Sequence, residues 1–119
     1  MRDFHELRVW SKAHQLVLAI YKTSASYPRT EAYGLTSQSR RAAVSIASNI
    51  AEGCGKNTDQ DFARFLQMAM GSASEVQYDL LLAHDLGFLS STVFPQLDAN
   101  VIEVKRMLAT LIKKLRADS

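Results

Sequence analysis

Between Phe94 and Leu115 the apolar residues Phe94, Leu97, Val101, Val104, Leu108, Leu111 and Leu115 recur at alternating spacings of three and four. On a strand this spacing would scatter them over both faces; on a helix it lines them up as one stripe. A stripe of this coiled-coil type needs another helical surface to face it. The C-terminal part of the chain is thereby committed to helix packing, and the remaining sequence must supply the partners.

It supplies three. Trp10, Ala13, Val17, Ile20 and Ser24, flanked by Val9 and Leu16, mark helix 1 over about residues 6–26. Tyr27-Pro28 ends it, because the residue before a proline is pushed out of the helical region. Helix 2 is expected over about residues 37–52, capped by Thr36 or Ser37 and stopped by Gly53 and Gly55. Helix 3, over about residues 59–86, opens on Thr58 and Asp61 at capping-box spacing, with Asp in place of the preferred Glu or Gln. Its seam is Phe62, Leu66, Ala69, Ala73, Val76, Leu80 and Ala83, and Gly87 stops it. Helix 4, over about residues 92–116, is capped by Ser91 or Thr92, with Pro95 in the first turn where its missing N–H does no harm.

Four helices joined by short connections make antiparallel neighbours. The expected fold is all-α, an antiparallel up-down-up-down four-helix bundle. At 119 residues the chain forms one such domain, residues 1–119, with a real core. No internal repeat or low-complexity segment interrupts it. Bundles serve many functions, so the fold alone supplies none.

The residues argue against several classes of chemistry. Di-metal bundles use Glu-x-x-His pairs, and none follows Glu6, Glu31, Glu52, Glu75 or Glu103. His5, His14 and His84 are scattered, and His84 near the end of helix 3 suits the helix dipole. Cys54 is the only cysteine, so it forms no internal disulfide; it reads as a buried small thiol rather than a nucleophile. No phosphate-loop motif occurs. The reading is therefore non-enzymatic, with no catalytic residue, no metal, no cofactor and no small-molecule substrate. MRDFHELRVW is charged and lacks the apolar run of a signal peptide, and no stretch approaches the ~20 apolar residues of a membrane span. The expected location is cytoplasmic, with no membrane partner.

Charge is distributed unevenly. Helix 3 sets Arg64 against Asp59, Asp61, Glu75, Asp79 and Asp85, whereas the segments on either side are basic. Asp61, Ser72, Glu75 and Asp79 share one flank of helix 3 and call for a partner, for which Arg40 or Arg41 of helix 2 is the candidate. On helix 4, Lys105, Arg106, Lys113 and Arg116 share a flank. This is either a solvated face or a footprint for phosphate. A net charge of +2 is a weak footprint for one chain, but a symmetric oligomer would repeat it around a ring.

Helix 3 also carries apolar residues beyond its seam: Met70 and Leu81 on one side, Met68, Leu82 and Leu86 on the other. A helix apolar nearly all round is buried on more than one face, either because helix 3 lies deep in the centre of the bundle or because a homo-oligomer covers what the bundle leaves exposed; the second is the expectation. The stretch RRAAVSIASNIAEG in helix 2 has a polar side made mostly of short residues, and Ala69, Gly71, Ser72, Ala73 and Ser74 are equally small. A close helix 2–helix 3 contact follows, with Asn49 and Glu52 partly buried and hydrogen-bonded.

The ordered residues Leu7-x-Val9-Trp10-x-Lys12-Ala13, Tyr33-Gly34-Leu35-Thr36-x-Gln38-x-Arg40-Arg41-Ala42 and Ser45-Ile46-x-x-Asn49-Ile50-Ala51-Glu52-Gly53 carry a resemblance. So do Phe62-x-Arg64-Phe65-Leu66, Gly71-Ser72-x-Ser74-Glu75 and Leu86-Gly87. Together they resemble the bacterial four helix bundle protein family. That family includes the proteins encoded in intervening sequences of large-subunit ribosomal RNA genes. It also includes the accessory variability determinant of diversity-generating retroelements. The resemblance covers nearly the whole chain and implies an antiparallel bundle assembling as a homopentamer. In the retroelement branch it implies a basic barrel that binds a reverse transcriptase and nucleic acid. Ala47 stands where the family pattern often has Pro, which implies a straighter helix 2.

The combined expectation is a homo-oligomeric, pentameric scaffold associated with RNA or with an RNA-binding protein such as a reverse transcriptase. Its phosphate contacts would come from Arg40, Arg41, Lys105, Arg106, Lys113, Lys114 and Arg116, with Asn49, Glu52, Ser72, Glu75 and Asp79 as structural or interface polar residues. The alternative is a protein–protein adaptor with no nucleic-acid role.

Overall fold

The structure, a computed structural model, describes residues 2–118. Four α-helices run α1 (Arg8–Ser24), α2 (Leu35–Cys54), α3 (Asp59–Asp85) and α4 (Val93–Asp118), with short 3-10 turns at Phe4–Glu6 and Arg29–Glu31. They form an antiparallel up-down-up-down bundle with no strand among the described residues, 46 Å long and 23 × 20 Å across. Each helix packs on its chain neighbours, and α4 closes the bundle against α1. The α2–α3 contact is the most extensive and the α1–α4 contact the least.

The α3 seam is buried throughout: Phe62, Leu66, Ala69, Ala73, Val76, Leu80 and Ala83 are all within 2 % of full burial. On α4, Leu97, Val101, Val104 and Leu108 are buried, but Leu111 is half-exposed and Ile112 takes its place in the core. A repeat of 3.5 residues drifts by about 20° per heptad on a straight helix, so Leu111 turns to the edge of the core, while Leu115, one turn on, is buried again. Leu111 is left facing the seam between α4 and α1.

The helix ends differ from expectation in three places. Helix α2 begins at Leu35, two residues early, because the Glu31 carboxylate reaches from the preceding turn and accepts the Leu35 N–H at 3.0 Å. Neither Thr36 nor Ser37 caps it. Helix α4 is capped by Ser90, whose Oγ accepts the Val93 N–H at 3.1 Å, rather than by Ser91 or Thr92. Gly53 does not stop α2; it lies inside the last turn, buried, where a Cβ would come within 2.9 Å of Phe62 and Phe65. By contrast Thr58 accepts the Asp61 N–H at 3.1 Å, and Gly87 takes φ +82° with its N–H on the His84 carbonyl. The Phe88 N–H reaches back to the Ala83 carbonyl at 2.9 Å, which completes a glycine-dependent helix stop.

Candidate nucleic-acid interface

The bundle sorts the basic residues into engaged and open ones. Arg40 is engaged: its Nε donates to Ser24 Oγ at 2.9 Å, Nη2 donates to the Tyr21 carbonyl at 3.2 Å, and the guanidinium lies 4.7 Å from the Tyr21 ring centroid. It ties α2 to the end of α1 and satisfies a terminal helix carbonyl, so it is a brace rather than an open contact. Lys105 is half-buried and donates to Gln77 Oε1 on α3 at 3.0 Å. Arg116 lies over the start of α3, beside Gln60, Asp61 and Arg64. Arg41, Arg106, Lys113 and Lys114 are exposed.

Neither Arg40 nor Arg41 pairs with the acidic flank of α3, which corrects the sequence expectation. Asp79 takes its hydrogen bond from Gln38 Nε2 at 2.7 Å instead, and no ion pair joins Arg41 to Glu75 or Asp79 among the described residues. Glu75 stays exposed. Asp79 is the unusual member of the flank: it is 1 % exposed, and its second oxygen has no partner among the described residues. Burial, against the Gln38 hydrogen bond and with help from the Glu75 charge, pushes its carboxyl up to about 6.

The close α2–α3 contact has a polar stitch. Ser45 Oγ and Ser72 Oγ lie 2.8 Å apart, and Asn49 Nδ2 donates to Ser45 Oγ at 3.0 Å and to the Ser45 carbonyl at 2.9 Å. Asn49 is thus half-buried and satisfied by its own helix. Glu52 is exposed on the single chain, not partly buried as the small-residue argument required.

The structure adds one residue that sequence reading missed. Arg8, the first residue of α1, lines a surface groove with Leu7, Val9, Arg106, Met107, Thr110, Leu111 and Lys114. Three exposed cations share this groove, and among the described side chains no carboxylate lines it. Helix α1 begins there with no side-chain cap and no acidic residue in its first turn, so the positive end of its dipole adds to the same field. Antiparallel closure of the bundle is what brings the start of α1 to the second half of α4. The only signal in the sequence was the lack of an acidic residue after Leu7.

Among the described residues no other arrangement suggests chemistry. Among the described residues no group of three or more His, Cys, Asp or Glu could hold a metal ion. Burial pushes the Cys54 thiol up, which disfavours its thiolate. His84 stacks on Phe94 at 4.6 Å, with its ring nitrogens 3.3 Å from Asp85 and from Ser91. Among the described residues no helix is long and apolar enough to cross a membrane.

The comparisons with known proteins bear on this surface. A family model described as 23S rRNA-intervening sequence protein matches residues 5–110. A crystal structure of a protein of unknown function from the S23 ribosomal protein family of Bacteroides thetaiotaomicron is similar, with a TM-score of 0.80 and 23% identity. The alignment covers 88% of this chain and 98% of that one, and at this identity it speaks for the fold alone. No match was found among curated proteins.

Proposed function

The chain belongs to the 23S rRNA-intervening sequence protein family, and from that premise we propose that it is a non-enzymatic, cytoplasmic scaffold that assembles into a ring, a pentamer, and associates with RNA. One observation carries the RNA reading: Arg8, Arg106 and Lys114 converge on one groove that no carboxylate lines among the described side chains. Lys113 extends the basic surface on the outer side of α4. Clustered guanidinium and ammonium groups attract phosphate irrespective of sequence and release counterions on binding.

Assembly is supported by two exposed apolar strips on different edges. Along α1–α2 lie Leu18, Tyr21 and Val44, at 57%, 44% and 41% exposure. Along α3–α4, Tyr78 and Leu81 border a groove completed by Phe94. Two unlike surfaces on opposite edges favour head-to-tail contacts, which close into a ring when the rotation allows. The ring's stoichiometry rests on the resemblance. Light scattering at low micromolar concentration should report a multiple of 13.3 kDa, and Leu18→Ser with Leu81→Ser should reduce it to the monomer. A wild-type monomer would remove the assembly reading.

The RNA reading has its own test. Affinity for a structured RNA should fall by about a thousandfold between about 50 and 200 mM salt if an assembled ring makes about six or more phosphate contacts. Arg106→Glu with Lys114→Glu should abolish binding and leave assembly intact. Binding absent at low salt, or indifferent to salt, would sink the proposal. A protein partner that survives both nuclease treatment and the charge reversal would instead establish an adaptor role.

A further inference from the structure

We infer that the groove between the start of α1 and the second half of α4 takes an unpaired nucleotide, so that the protein selects single-stranded RNA over duplex. This rests on the RNA reading above and goes further, because cations alone would not distinguish the two forms. The groove is a composite: its floor is apolar, from Leu7, Val9, Met107 and Leu111, and its rim carries Arg8, Arg106 and Lys114. The floor exists because the α4 stripe has rotated Leu111 out of the core and because α1–α4 is the least extensive contact of the bundle. Leu7 and Met107 are likewise only half-buried.

A duplex presents phosphates and riboses and keeps its base faces stacked inside. It could satisfy the rim but would leave the floor open to water. An unstacked base offers a flat apolar face to the floor, while its flanking phosphates reach the rim; guanidinium planes such as those of Arg8 and Arg106 also stack on bases. The chemistry of the groove thus matches an occupant that is anionic at its edges and apolar at its centre. A duplex lacks the second property. An acidic amphipathic protein segment has both, but the cations on the outer side of α4 continue past the groove at Lys113, as a backbone track would require.

The test compares a 5′-labelled unstructured RNA with a duplex of equal length by fluorescence anisotropy, at one low salt concentration, on the assembled wild-type protein. The single strand should bind about tenfold more tightly, the range of one base stacked on a protein surface. Met107→Ser should erase that preference and leave duplex affinity unchanged. Thr110→Trp, which adds a stacking ring at an exposed position in the same groove, should widen the preference; as a gain of binding it cannot be mistaken for misfolding. Equal affinity for strand and duplex, or a Met107→Ser variant weakened equally for both, would overturn the inference while leaving the RNA reading standing. No binding to either RNA, with capture of an acidic peptide at the groove, would overturn both.

Discussion

Replacing Asp79 with Asn is expected to stabilise the bundle by about 1–3 kcal/mol above about pH 7 and to remove a pH dependence that the native chain should show. Asp79 is 1 % exposed, has one hydrogen-bond donor, Gln38, and leaves its second oxygen unpaired. In the unfolded chain its carboxyl has the ordinary value of 3.8; in the bundle burial raises it to about 6. The folded chain therefore holds this proton more tightly than the unfolded chain. The resulting stabilisation is fully present below 3.8 and is lost as pH rises through about 6. A difference of about two units corresponds to about 3 kcal/mol. The groups facing this carboxyl are Gln38 of α2, Glu75 one turn away on α3, and Tyr27, whose phenol is itself pushed up by burial and then by the Asp79 charge. Asp3 is shifted the opposite way by its His5 hydrogen bond, so its effect falls below this window.

Asn has nearly the shape of the protonated acid and cannot ionise, and its oxygen can still accept from Gln38. Its amide N–H groups would stand where Oδ2 has no partner, and leaving them unsatisfied is why the gain falls short of the full 3 kcal/mol. Urea unfolding of the wild-type chain should give a stability that declines from about pH 4 to about pH 7, whereas the Asp79→Asn curve should stay flat across the same range. Equal slopes for the two chains would mean that Asp79 is ionised in the fold without cost.

Asp79 also shows how far the sequence could be read. A helical wheel places Asp61, Ser72, Glu75 and Asp79 on one flank, but it does not say which of them the neighbouring helix will cover. That depends on the register of α2 against α3. Gln38–Asp79 and Ser45–Ser72 fix it, two turns apart on both helices. In that register Gln38 meets Asp79, and the longer Arg40 turns the other way to α1. The apolar seams were legible because burial of a periodic stripe has one solution. The polar contacts were not, because each depends on rotations that several side chains could satisfy.

The same distinction governs the caps and the candidate site. Thr58 was readable because the capping residue adjoins its own helix; Glu31 was not, because it acts from a separate turn four residues upstream. The α4 half of the basic groove was visible as a charged flank, and Lys114 and Arg106 were among the expected residues. Arg8 became part of it only through closure of the bundle. Leu111 reads in sequence as core, and only the drift of a 3.5-residue repeat on a straight helix frees it for the groove floor.

Gly53 was read as a helix stop from its residue type, and its true constraint gives the other large effect: Gly53→Val is expected to destabilise the bundle by about 3 kcal/mol. An added Cβ would lie 2.9 Å from Phe62 Cδ1 and 2.9 Å from Phe65 Cβ. Both phenylalanines are held, at 0% and 7% exposure, and the Arg2 guanidinium lies 4.6 Å from the Phe62 ring centroid on its outer side. The rings cannot retreat, so α2 and α3 must separate at the turn that joins them. Helix propensity works in the other direction, since any other ordinary residue is favoured over Gly inside a helix by up to about 1 kcal/mol; the overpacking term exceeds it. Gly71 supplies the control. It lies within α3, is exposed, and an added Cβ there would meet nothing within 4 Å. Gly71→Ala should therefore gain about 0.5–1 kcal/mol. Denaturant unfolding of the two variants should show shifts of opposite sign. Shifts of the same sign and size would mean that helix propensity governs both sites and that the Gly53–phenylalanine contact carries no energetic weight.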